Sequence, residues 1–229
     1  MAIPGSVVLL GALGAAAALA WIYVRDLGVR RIQRGRLFSA CLELFQACRV
    51  VQDGPGYPVL TGRYQGVEVK LEPVVDHIAW RKVPSLWLKA TVLAPGAPGV
   101  LDMIVRPQGV EFYSPSGDLE HRMSPPPGFP ADALICTDDE AALPLIEKIR
   151  PHLAMFEDPR MKELLITPRG VRLVRQLWQA DRARYAVLRQ AEFPAEALSP
   201  DLARSLLDAA MAIWTSVRAP EPAPLLKAS

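Results

Sequence analysis

The imidazoles and thiols that most often bind metals or act as nucleophiles are few in this chain: His77, His121, His152, Cys41, Cys48 and Cys136. No two histidines stand in an H-x-x-x-H spacing, and no two cysteines in the C-x-x-C spacing of a zinc site. Phosphate loops, dinucleotide fingerprints and nucleophile elbows are also missing from the pattern. Asp76-His77 could pair a carboxylate with an imidazole, but adjacent residues rarely aim side chains at each other, and a turn at a strand end is the simpler reading. Cys136-Thr137-Asp138-Asp139 could place a thiol beside a helix N-terminus, which lowers a thiol's pKa. A buried strand cysteine followed by a capped helix explains the same residues. Asp138 and Asp139 alone are too few oxygens for a divalent cation. The residues therefore predict no catalytic group, no cofactor and no metal site.

The elements around these residues begin with a membrane segment. Val7 to Val24 carries no charged side chain. From Ile3 to Val24 a helix is long enough to cross a hydrocarbon core of ~30 Å. Val7, Val8, Leu9, Leu10, Leu13, Leu19, Ile22 and Val24 favour insertion by roughly −2 to −5 kcal/mol together. Trp21 and Tyr23 stand near one end, where amphipathic aromatics anchor at the interface. Met1 to Ser6 has no basic residue, whereas Arg25, Arg30, Arg31, Arg34 and Arg36 follow the span against the single acid Asp26. The positive-inside rule then predicts an N-out, C-in anchor with the domain in the cytoplasm, and the arginines face lipid headgroups. Ala18-Leu19-Ala20 fits a signal-cleavage pattern, but the positive n-region of a signal peptide is missing and the apolar run continues past the site. Gly11 with Ala15 and Gly14 with Ala18 are small residues at four-residue spacing. They are candidates for packing against a second membrane helix, from a partner or another copy.

The net charge of +2 is small and concentrated beside the span, which argues against a nucleic-acid surface. An odd number of cysteines suggests no disulfide framework, in keeping with the cytoplasm.

The predicted organisation is a membrane anchor over 1–27, an amphipathic helix over 28–52, an antiparallel β lobe over 53–122, a Pro-rich connector over 123–132, an α+β lobe over 133–217 and a flexible tail over 218–229. Apolar residues from Ile32 to Val51 recur at three- and four-residue steps, placing Cys41 and Cys48 on one face, with Gly28 as a joint to the anchor. Val59–Tyr64 and Val67–Glu72 flank Gln65-Gly66 as a hairpin. Strands are expected at Leu86–Leu93, Val100–Val105, Val110–Tyr113 and Ala133–Cys136, with a capped helix after Thr137. Lys162–Thr167 and Val171–Gln176 form a second hairpin, and Arg184–Gln190 a further strand. Lys162 and Arg172 are expected on a solvated basic face, with Arg175, Arg182, Arg184 and Arg189 balanced by Asp181 and Glu192. Ser199-Pro200-Asp201 starts a helix whose stripe Leu202, Leu206, Leu207, Ala210, Ile213, Trp214, Val217 packs on the sheet. The fold class is α+β.

LTGRYQGVEVKLEP resembles the GRYxGxxV hairpin of uncharacterised bacterial single-pass membrane-anchored proteins, and LLITPRGVRLVRQL resembles the second half of similar proteobacterial proteins. The resemblance implies a bacterial inner-membrane protein and brings no catalytic residues. The resulting expectation is a non-enzymatic accessory or assembly subunit whose cytoplasmic domain binds another protein. A lipid- or ligand-sensing module with a pleckstrin-type sheet is the alternative, and an enzyme of unrecognised type the third reading.

Overall fold

The computed structural model describes residues 5–76, 83–109, 111–138 and 142–218. Helix α1 (Gly5–Gly35) runs unbroken from the apolar stretch into the arginine-rich flank, passing through Gly28 without a joint. Its segment Leu9–Gly35 is long and apolar enough to cross a membrane, and none of its most apolar stretch is buried inside the protein.

The amphipathic helix expected over 28–52 does not form as one element. After Gly35 the chain makes tight turns, a 3₁₀ turn at Leu42–Leu44, and strand β1 (Cys48–Val51). The residues that suggested an apolar stripe still go inward: Leu37, Phe38, Cys41 and Phe45 are buried, while Cys48 is exposed. Tertiary hydrogen bonds replace the helical ladder. The Leu198 N–H donates to the Leu37 carbonyl at 2.7 Å, and the Arg63 N–H to the Ala47 carbonyl at 2.8 Å. Periodicity reports which residues are buried, and several backbone paths satisfy it.

Strands β2 (Val59–Tyr64), β3 (Val67–Val75) and β4 (Ser85–Val92) follow β1 as an antiparallel meander. Gln65 and Gly66 close the first hairpin with φ values of 49° and 81°, the two left-handed residues of a tight hairpin turn. Then come β5 (Leu101–Ile104), β6 (His121–Met123), β7 (Leu134–Thr137), the helix α2 (Pro144–Ile149), and the hairpin β8 (Met161–Thr167) and β9 (Gly170–Gln179). All nine strands join one open antiparallel sheet in the order β1-β2-β3-β4-β9-β8-β5-β7-β6. The late hairpin β8–β9 is inserted between β4 and β5, so strands before and after the Pro-rich connector share one sheet.

Helix α4 (Pro200–Val217) starts at the expected cap position and lies across β4 and β9. Leu206, Leu207, Ala210, Ile213 and Val217 meet the inward residues Leu86, Leu88, Ala90, Val92, Leu173 and Leu177 in the main core. The α+β class therefore holds, with an N-terminal long apolar helix, the open sheet and a C-terminal packing helix.

Two expected strands are different in the structure. Residues 182–188 form the helix α3 (Arg182–Leu188), where the Asp181 carboxylate accepts the Arg184 N–H at 2.7 Å and Arg189 closes the end at φ 54°. Most of that segment is exposed, so no buried face enforces a strand's alternation. Phe112 and Tyr113 lie in a turn, with the Ser114 N–H donating to the Glu111 carbonyl at 2.9 Å; Val110 lies outside the described residues. The capped start expected at Asp139 and Glu140 and most of the tail also lie outside them.

Gly170 occupies the tightest position in the sheet. Its φ is 146°, and a Cβ built there would come within 1.8 Å of the Val92 carbonyl oxygen. Gly170→Ala must push β9 off β4, and is expected to cost about 2–4 kcal/mol. Urea unfolding of the full chain in mild detergent, followed by tryptophan fluorescence, measures it; an unchanged midpoint would show that the two strands tolerate separation.

Candidate functional site

The residues picked out for possible chemistry do not converge. His121 lies on edge strand β6, and His152 sits near α4, its ring nitrogen 2.9 Å from the Ser216 hydroxyl. His77 lies outside the described residues, while Asp76 ends the β3 side of the meander, donating its N–H to the Ser85 carbonyl at 2.9 Å. Burial raises the Cys136 thiol above its ordinary pKa, the opposite of activation. Cys41 is pushed up to about 11 by burial and lies 3.2 Å from the Leu198 carbonyl as a donor. Asp138 accepts the Val100 N–H at 2.7 Å, tying the start of β5 to the end of β7. Among the described residues, no three His, Cys, Asp or Glu side chains gather as a metal site.

The sheet face opposite α4 holds a charge cluster that the sequence reading placed in solvent. Directly opposed residues share a face, so Lys70, Thr91, Arg172, Leu165 and Asp102 form one row and Glu72, Lys89, Val174 and Glu163 the next. Asp102 and Glu163 are fully buried. The Arg172 guanidinium grips Glu163 with two bonds of 3.0 Å, and donates to the Tyr113 carbonyl at 2.8 Å. The Ser114 hydroxyl donates to one Asp102 oxygen. Nearby, Lys162 and Glu111 form an ion pair of 2.9 Å with both side chains almost wholly covered. The segment that follows β5 thus closes over the sheet, converting the expected solvated face into buried ion pairs. Arg175 pairs with Asp158 at 2.9 Å, and Arg184 with Glu192.

Asp102 Oδ1, the Tyr113 hydroxyl and Trp87 Nε1 are buried and have no hydrogen-bond partner among the described residues. The Trp87 and Tyr113 rings lie 5.8 Å apart. The Arg172 guanidinium acts on both the Asp102 and the Glu163 carboxyl. Burial raises both carboxyls above their ordinary pKa; Asp102 raises Glu163 further, and Arg172 pulls both back. The pair was missed from sequence because Asp102 is a lone charge in the apolar strand Leu101–Ile104, while Glu163 follows Lys162 at the start of Met161–Thr167 and reads with it as a charged strand end. An in-phase acid in an apolar strand was the available signal.

The arginines beyond the span divide into two sets. Arg25, Arg31 and Arg36 are exposed. Arg30 and Arg34 turn toward the domain instead. Arg30 pairs with Asp26 at 2.8 Å and donates to Gln190 at 3.1 Å. Arg34 donates to the Pro55 carbonyl at 3.0 Å and stacks 4.9 Å above the Tyr57 ring. Gln52, just past β1, donates to the Arg31 carbonyl at 2.8 Å. A cleft of about 260 Å³ opens here between α1 and the extended segment 191–196. The small residues Gly11, Gly14, Ala15 and Ala18 are exposed along the helix, with nothing within 4 Å of a Cβ built at either glycine.

Comparison with known proteins gives no match to a family model, a curated protein or a solved structure.

The buried acids set a pH dependence. Carboxyls with raised pKa hold a proton more tightly in the native chain than in the unfolded one. Their contribution is therefore fully present below the ordinary carboxyl value of about 4 and is lost as pH rises toward neutrality. The unfolding free energy should fall by on the order of 1–2 kcal/mol between pH 5 and 8. Asp102→Asn should flatten that slope. Urea midpoints across this range decide it; an equally steep slope in the variant would mean that other groups carry the dependence.

Proposed function

We propose that this chain is a non-enzymatic, single-pass protein of a bacterial inner membrane, whose cytoplasmic domain binds another protein as an accessory or assembly subunit of a larger membrane complex. The supporting observation is the open edge of the sheet at β1. Among the described residues that strand pairs only with β2, and Val50 and Val51 are 41% and 49% exposed. Unpaired strand edges with apolar side chains invite an added strand from another chain. The Gln52 bond to the Arg31 carbonyl holds this edge against α1 about 10 Å beyond Val24, where the apolar run ends. A partner adding a strand there would itself be at the membrane surface. A second membrane helix, from that partner or another copy, would complete the contact along Gly11, Gly14, Ala15 and Ala18.

Placing a photoreactive residue at Val50 in cells tests the edge. The expected product is a heavier adduct that disappears when Val51→Pro disrupts the edge. A crosslinked product that persists at full yield in the proline variant would remove β1 as the docking strand.

Orientation is tested by the exposed thiol. Cys48 is exposed, whereas Cys41 and Cys136 are buried. A membrane-impermeant maleimide should modify Cys48 in inverted vesicles and leave it untouched in intact spheroplasts. The reverse pattern would put the domain outside.

A second reading, lipid recognition, is favoured by the cleft at the α1 junction.

A further inference from the structure

The cleft between α1 and segment 191–196 combines three properties: depth in the bilayer, paired signs of charge and an apolar wall. On α1 it begins at Asp26 and reaches Leu37. The apolar run ends at Val24. At 1.5 Å per residue, Asp26 to Arg34 stand about 3 to 15 Å beyond the hydrocarbon boundary. The headgroup layer of one leaflet is roughly 5–8 Å thick. The mouth of the cleft therefore overlaps the layer where phospholipid headgroups sit.

Its charges are mixed. Arg30 and Arg34 supply two guanidiniums; Asp26, Glu192 and Glu196 supply three carboxylates. Arg184 pairs with Glu192 from outside the cleft, so the signs balance and a purely anionic headgroup gains no net attraction. A headgroup carrying both a phosphate and an ammonium finds a partner for each end. Glu196 is exposed and has no ion pair among the described residues, so its carboxylate is open to an ammonium. Arg30 uses only Nη2, on Asp26 and Gln190, leaving Nε and Nη1 for a phosphate. Val29 is 44% exposed at the cleft, and Tyr57 and Phe193 pack edge to face at 6.5 Å as its wall. Such a wall suits the glycerol and upper acyl carbons above a headgroup.

We propose that this cleft seats the headgroup of a phospholipid bearing a primary amine, of the phosphatidylethanolamine type. The ammonium donates its N–H groups to Glu196, and the phosphate lies toward Arg30, about 9 Å beyond the boundary along the helix axis. A quaternary choline headgroup has no N–H to donate and fits less well. The assignment rests on α1 being a membrane span and is independent of what binds β1. It gives the anchor a role in orientation: a bound lipid would clamp the domain to one tilt against the membrane.

The test uses the full chain released from mild detergent containing equal amounts of phosphatidylethanolamine, phosphatidylcholine and phosphatidylglycerol, with retained lipid identified by native mass spectrometry. The expected result is enrichment of phosphatidylethanolamine over phosphatidylcholine of about fivefold, the value of one charged contact near a membrane surface. Glu196→Gln, at an exposed position, should reduce it, and Val29→Trp, which fills the cleft, should abolish it. Equal retention of the three lipids, preference for phosphatidylglycerol, or enrichment that survives both substitutions overturns the proposal. Alkaline carbonate extraction from vesicles of the same lipids separates the two possible failures. Release of the protein overturns the span and this assignment together; retention without enrichment overturns the assignment alone.

Discussion

The pairing of β4 with β9 is the contact on which the rest of the domain depends. It joins the meander β1–β4 to the strands β8, β5, β7 and β6, which would otherwise be two sheets with two additional open edges between them. It also makes the floor on which α4 lies, because that helix packs on these two strands. The closeness of Gly170 to the Val92 carbonyl shows how tightly the two are drawn together. Apolar burial on the α4 side supplies the driving force. Each fully buried aliphatic side chain there is worth about 1.5–3 kcal/mol relative to exposure.

That same pairing creates the polar interior on the other face. Once β9 lies between β4 and β8, Arg172 stands in the row of Asp102 and one row from Glu163, and the segment after β5 covers all three. Taking charges out of water is costly, and a bidentate pair recovers the cost only when its remaining bonds are satisfied. Arg172 meets that condition through Glu163 and the Tyr113 carbonyl. Asp102 meets it only in part, since one of its oxygens has no partner among the described residues. The face is therefore held by directional bonds and keeps two buried carboxyls that hold a proton more tightly than in water.

The anchor and the domain are one construction. α1 ends by sending Leu37 and Phe38 into the core, and Arg34 and the Arg31 carbonyl are held by Pro55, Tyr57 and Gln52. A linker of flexible residues would let the domain diffuse about its tether. Here the last turns of the helix are packed and hydrogen-bonded, so the direction of α1 relative to the sheet is fixed.

Local chemistry made part of this legible in the residues alone. The apolar run with its basic flank, the Gln65-Gly66 and Arg169-Gly170 turns, and the Ser199-Pro200-Asp201 start of α4 each depend on neighbours within a few positions. Arg184–Gln190 read as a strand and is a helix, because the Asp181 cap outweighs a weak alternation that no buried face enforces. The stretch from Ile32 to Val51 read as a helix and is a set of turns and a strand, because bonds to Leu198 and Arg63 replace its own ladder. By itself the sequence determined that this chain has a helix able to cross a membrane, two hairpins and one amphipathic helix, since these follow from transfer energies and turn geometry. Only the tertiary structure decided the strand order, the burial of Asp102 and Glu163, and the cleft at the anchor. Each of those arises between residues far apart in the chain, and no local pattern specifies which distant strand will become a neighbour.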